Sequence, residues 1–229
     1  MSYLTLILGE SGTGKTTSLR NLDPANTLLI QPFRKPLPFP AKGWHEAVKK
    51  GDGGNICVTP DAQKISAFME RAPHKIIIID DYQFILARKY MESAEPNQFV
   101  LFKDIGKDGY NIFRKAAELA PDKRVYILAH TQSDDTGRTK IKTLGKLLDE
   151  KINLESLCTT VLRTKVSGGK YSFTTQNSGS DTVKSPMGMF SESEIKNDLA
   201  AVDARLCEYY GIEEPKSETE STTNNETTN

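Results

Sequence analysis

Long apolar runs are missing from this 229-residue chain: no stretch approaches the roughly 18 consecutive apolar residues of a transmembrane helix, which excludes that class of membrane protein. Cysteine is scarce as well. Cys57, Cys158 and Cys207 are odd in number, widely spaced and without a C-x-x-C pair, so neither a disulfide framework nor a zinc site is expected. No basic segment precedes the first apolar run, so no signal peptide is expected and the setting reads as a reducing cytoplasm. Net charge is absent too, with 30 Lys and Arg against 30 Asp and Glu. That balance hides an asymmetry. Residues 213–229, "EEPKSETESTTNNETTN", hold five Glu and one Lys, a charge of −4 that leaves +4 on the body. With no large apolar side chain, this acidic tail reads as disordered, and residues 1–212 as one domain. A mildly basic body permits nucleic-acid contact without requiring it. No internal repeat is present.

What the sequence does contain begins at once. In "LTLILGESGTGKTT" a short oily strand stops at a glycine, and Gly9, Glu10, Ser11, Gly12, Thr13, Gly14, Lys15 and Thr16 fit G-x-x-x-x-G-K-[ST], followed by Thr17. Backbone amides of such a loop cradle phosphate oxygens, and Gly9, Gly12 and Gly14 allow the turns and close approach this needs. Lys15 can reach the β- and γ-phosphates, and the Thr16 hydroxyl can ligate Mg²⁺.

Apolar strands alternate with helical stretches along the body, an α/β pattern that favours a mostly parallel sheet flanked by helices. Strands are expected at 3–8, 27–31, 75–79 and 124–129. Helices are expected at 15–22, 62–71, 82–91, 99–120 (interrupted around Gly106 and Gly109) and 192–210. Segments 159–165 and 170–176, joined by Ser167-Gly168-Gly169, read as a β-hairpin. "PFRKPLPFP" is too rich in proline for a regular element, and Phe33, Phe39 and Trp44 around it either stack on bases or pack that loop against the sheet.

In "HKIIIIDDYQF" four isoleucines end in two aspartates, a Walker B pattern. Asp80 is expected beside the metal. Asp81 either polarises a water or caps the helix that follows. In "RVYILAHTQ", His130 at a strand tip is either a sensor near the γ-phosphate or a surface residue, with His45 and His74 left structural or exposed. The polar run "TQSDDTGRTKIKTLGK", with Arg138, Lys140 and Lys142, reads as a mobile loop that either touches DNA or is simply solvated.

Together "GESGTGKTT", "IIIIDD", "ILAHTQ" and "GKYSFTTQNSGSDTVKSPMGMF" resemble the minimal RecA-like ATPases of bacteriophages (AAA family, AAA_24 type), including the Sak-type single-strand annealing proteins, over roughly residues 3–190. The resemblance implies a RecA-like P-loop NTPase core with a C-terminal β-hairpin, ATP and Mg²⁺ as cofactors, and work on single-stranded DNA in phage recombination or replication. It also implies a homo-oligomer with nucleotide at the subunit interface, a phage or host single-strand-binding protein as a possible partner, and residence in the host cytoplasm. In such assemblies a basic residue of one subunit completes its neighbour's site. Lys184, ahead of a Ser-Pro pair, is the candidate, with Arg163 and Lys165 competing and a plain solvated lysine as the alternative. One departure stands out. RecA-type cores place a catalytic Glu after the second strand, whereas here that strand ends "LLIQPFRKP". Two other readings stay open: a P-loop small-molecule kinase, for which the single Arg of the Arg138 loop makes a poor lid, and a non-hydrolysing switch or helicase-loader-like module. The absence of an N/T-K-x-D signature favours adenine over guanine.

Overall fold

Leu4, Leu6 and Leu8 face one apolar core and Ile7 faces another, because side chains alternate across a strand and this strand is covered on both sides. The computed structural model describes residues 1–48 and 53–213. In chain order it contains β1 (Tyr3–Leu8), β2 (Thr27–Gln31), β3 (Ile56–Val58), α1 (Ala62–Arg71), β4 (Ile76–Ile79), α2 (Gln83–Glu92) and α3 (Gln98–Glu118). Then follow β5 (Arg124–Ala129), β6 (Thr131–Ser133), β7 (Thr139–Ile141), β8 (Thr160–Ser167), β9 (Lys170–Thr174), β10 (Glu194–Lys196) and α4 (Leu199–Tyr210).

Eight strands form one mixed sheet in the order β10-β9-β8-β1-β5-β4-β2-β3. The six from β8 to β3 pair in parallel, and β9 and β10 extend the sheet antiparallel. The fold is therefore α/β with a mostly parallel sheet flanked by helices. One face carries α1, α2 and α3, which bury Ile65, Met69, Ile85, Leu86, Ile105 and Phe113 against it. The other carries α4 and the turn after β1, through Leu19, Leu22, Leu199 and Val202. On that second face Arg124 donates to both carboxylate oxygens of Asp203 (3.0 and 2.8 Å) and Tyr126 donates its hydroxyl to the same group (2.5 Å), which ties α4 to β5. No helix among the described residues is long and apolar enough to cross a membrane.

Several expectations need correction. The helix expected over 15–22 is a six-residue 3-10 helix, Thr16–Asn21, and it stops there because Pro24 disfavours helical backbone just before it and Asp23 caps a new turn through Ala25 N. The break expected near Gly106 and Gly109 does not occur, and α3 runs unbroken. Those glycines serve close packing instead: a Cβ at 106 would lie 2.8 Å from Leu147 Cδ2, and one at 109 would collide with the Tyr82 hydroxyl. The closing helix is shorter than expected, since Glu194–Lys196 joins the sheet as β10 and Asp198 caps α4 by accepting from Ala200 N. The polar run after residue 130 is a two-stranded hairpin, β6–β7, in which Arg138 Nε donates to Asp181 O and Lys140 pairs with Asp149. Apart from Glu213, the acidic tail lies outside the described residues.

Candidate functional site

Register brings the three motifs level. Leu8 pairs with Ala129 and Ile79 with Ile127, so the chain after β1, the two aspartates after β4 and His130 after β5 leave the sheet at one edge. The chain leaving β1 crosses the sheet towards β2, while that leaving β5 ends up at β8 on the other side. Ligands of open α/β sheets bind at such a switch point, outside the carboxyl ends of the strands. A cleft of about 680 Å³ opens there, lined by Gly12, Lys15, Thr16, Asp81 and His130 among others.

The loop is held in shape from both sides. Gly12 and Gly14 have φ of 76° and 92°, the left-handed region that favours glycine. Thr164 of β8 braces the loop: its hydroxyl donates to Leu8 O (3.2 Å) and meets the Thr13 hydroxyl at 2.6 Å. A side chain at Gly9 would overlap that Thr164 hydroxyl, so the glycine is required by close approach. Lys15 is buried and folds back, donating to Gly9 O and Glu10 O at 2.9 Å each. Burial lowers its pKa, with Asp81 and Asp80 pulling the other way. The 3-10 helix that follows has only six residues, so this end of the cleft is formed by the loop and Lys15 rather than by a long helix terminus.

Thr16 Oγ1 donates to both oxygens of Asp80, at 3.1 and 3.2 Å. Asp80 is fully buried, and burial followed by repulsion from Asp81 raises its pKa against the pull of Lys35. Among the described residues no three His, Cys, Asp or Glu side chains gather to cage an ion. A hydroxyl beside one carboxylate instead suits a hard cation such as Mg²⁺, which keeps several waters and takes the rest of its ligands from substrate phosphates.

Asp81 has φ 63°, unusual for a residue with a side chain. The capping role does not hold: its carboxylate caps no amide of α2 and goes instead to Lys35 and, at 3.4 Å, to His130 Nε2. His130 is partly buried; desolvation and then the nearby Lys15 charge lower its pKa, so near pH 7 it is neutral, with Nε2 facing Asp81. Sequence reasoning missed Lys35, whose ammonium is 3.0 Å from Asp80 and also on Asp81. Burial opposes the charge on Lys35, but the two aspartates outweigh it and raise its pKa. Lys35 stands where the sequence offered only a proline-rich loop, and no spacing rule marks it.

Lys184 is not part of this cleft. It is exposed, with its backbone paired to Val161 on the outer side of β8. Of its competitors, Lys165 is committed to Glu194 at 2.6 Å. Trp44 lies in the second core and half-buried Phe39 packs edge to face against it, the packing role, whereas Phe33 stays 65% exposed beside Phe84. Neither a family model nor a curated protein matches the chain.

Proposed function

We propose that the chain binds Mg-ATP in this cleft and hydrolyses it, as a RecA-like ATPase that works on single-stranded DNA. The observation that carries the ATPase reading is the convergence at one sheet edge of Lys15, the Thr16–Asp80 pair at 3.1 Å and the Asp81–His130 pair at 3.4 Å. Phosphate, metal and water roles each find a side chain there. Thr16 and Asp80 would hold Mg²⁺, which when bound neutralises charge on the β- and γ-phosphate oxygens. Lys15 exchanges its two loop carbonyls for phosphate oxygens. Asp81 orients the attacking water and takes its proton, and neutral His130 keeps that carboxylate aimed at the terminal phosphate.

The DNA partner is carried by the resemblance, not by the cleft. Of the basic residues after β5, Arg138 and Lys140 are already engaged with Asp181 O and Asp149. The experiment that separates the readings is single-stranded DNA binding over a salt series, with and without ATP. A DNA-directed ATPase gives salt-dependent binding that ATP changes, together with turnover that DNA changes. Turnover only in the presence of a small phosphoryl acceptor would favour the kinase, and ATP binding without turnover the switch.

A further inference from the structure

The cleft has a second wall, which the reactions above leave unused. It is built by the strands on the far side of β1 from the aspartates: Tyr171 on β9 and Asn197 just past β10. The two meet over Gly14, where an added Cβ would lie 3.0 Å from Tyr171 Cδ1 and 3.2 Å from Asn197 Oδ1. Tyr171 is 50% exposed, an aromatic face on the cleft. Asn197 is 4% exposed and its Nδ2 has no hydrogen-bond partner. A buried amide donor is rarely left so, and here it lies in the wall of a cleft. The wall is otherwise well tied: Asn197 N donates to Tyr171 O (3.4 Å), and Arg20 Nη1 donates to Asn197 O (2.7 Å) and Thr17 O (3.1 Å).

Position in the sheet orders the two ends. The aspartates and His130 follow β4 and β5, on one side of the β1 loop, while Tyr171 and Asn197 belong to strands beyond β8, on the other. A triphosphate lying along the loop with its terminal phosphate at Asp81 therefore directs its far end towards Tyr171 and Asn197. Resting on the nucleotide reading, we infer that this wall is a nucleobase subsite for adenine. The Tyr171 ring turns off the Asn197 amide and stacks on the base, as aromatic side chains do. Asn197 then accepts from the exocyclic amine through Oδ1 and donates to N7 through Nδ2, the pairing that amide side chains make with adenine. Guanine presents an oxygen where adenine has the amine, so it sets two acceptors face to face.

Calorimetry on the full chain with Mg-ATP, Mg-GTP and Mg-tripolyphosphate tests this. The parent should bind ATP about tenfold more tightly than either competitor, in keeping with one stacked base. Tyr171→Ala and Asn197→Ala should bring ATP down to the level of tripolyphosphate while leaving tripolyphosphate unchanged, and Tyr171→Phe should keep most of the preference. Equal affinity of the parent for ATP and tripolyphosphate overturns the subsite and leaves the phosphate site standing. So does an ATP preference that survives in both alanine variants. Loss of tripolyphosphate binding in those variants would make the wall a support for the loop and also overturns the subsite. If the parent binds none of the three, the nucleotide reading falls and the subsite falls with it.

Discussion

The Lys35 ammonium lies 3.0 Å from Asp80 Oδ2, on the carboxylate that also receives the Thr16 hydroxyl. A divalent cation that uses Asp80 must therefore compete with a positive charge already there. At this range the attraction is worth a few kcal/mol at an effective dielectric near 20, and less here because Lys35 is partly exposed. Lys35→Met should bind Mn²⁺ about tenfold more tightly, equivalent to roughly 1.4 kcal/mol. Without cation it should melt lower than the parent, since two carboxylates lose their counter-ion, and it should recover with cation. Paramagnetic titration and thermal melts read both effects. Equal Mn²⁺ affinity in parent and variant would show that Lys35 does not guard the site.

Gly9 and Thr164 form a second tight relationship, 155 positions apart in the chain but in contact across β1 and β8. Gly9→Ala should cost about 1–3 kcal/mol, the usual penalty of overpacking, and should also misplace the glycine-rich loop. Thr164→Ala should cost less, through its lost contacts to Leu8 O and Thr13. The double variant Gly9→Ala/Thr164→Ala should be more stable than the sum of the two costs, because the new methyl takes the space of the lost hydroxyl. Denaturant melts of all four proteins complete the cycle, and strict additivity would refute the contact.

Asp81 combines left-handed backbone with a carboxylate aimed into the cleft, so conformation and chemistry can be separated by substitution. Asp81→Gly relieves the backbone and Asp81→Ala does not. The glycine variant should therefore melt above the alanine variant by an amount on the order of 1 kcal/mol. Both should bind ATP and lose hydrolysis. A turnover rate in either variant within twofold of the parent would remove Asp81 from the reaction.

How much of this was readable beforehand follows from range. The strands 3–8, 27–31 and 124–129 and the helix 62–71 were legible because their signals are local, in apolar runs and apolar spacing. The G-x-x-x-x-G-K-T loop and the paired aspartates were legible as residue types at a fixed spacing. Lys35, Thr164 and Asn197 were not. Each reaches the site through strand order, and strand order is set by pairing between segments as far apart as Thr5 and Thr160, which makes it non-local. The polar run after residue 130 misled for a related reason: β6 and β7 form a short sheet of their own, with polar side chains and little apolar alternation to announce them.

Burial lowers the pKa of His74 and His130, each helped by a neighbouring lysine, Lys123 and Lys15 respectively. The unfolded chain takes up protons near the ordinary histidine value of about 6.5, before these folded-state sites do. Both residues therefore contribute stability that is present above that pH and lost as the pH falls through their folded values. The melting temperature of the free chain should decline between pH 7 and pH 5.5, and His74→Asn and His130→Asn should each flatten the decline. A parent whose melting temperature rises over that interval would contradict both shifts.

Lys184 settles whether the site is finished by a neighbour. Its backbone is paired with Val161, well back along β8 from the residues that brace the loop, and its side chain is exposed. It does not line its own cleft, so the role to be tested is one exerted on another copy of the chain. The substitution Lys184→Ala removes the charge and leaves both backbone hydrogen bonds to Val161, at 2.8 and 3.0 Å, in place. The isolated variant should fold and bind ATP as the parent does, while ATP-dependent assembly and turnover fall by tenfold or more, roughly the least expected of a lost charge on the transferring phosphate. A mixture with Lys15→Ala should regain part of the activity, since one protein brings the intact loop and the other the intact lysine. Light scattering and phosphate release, measured on each variant alone and on the mixture, read assembly and turnover separately. Full assembly and turnover in Lys184→Ala alone would mean that this lysine is a solvated surface residue.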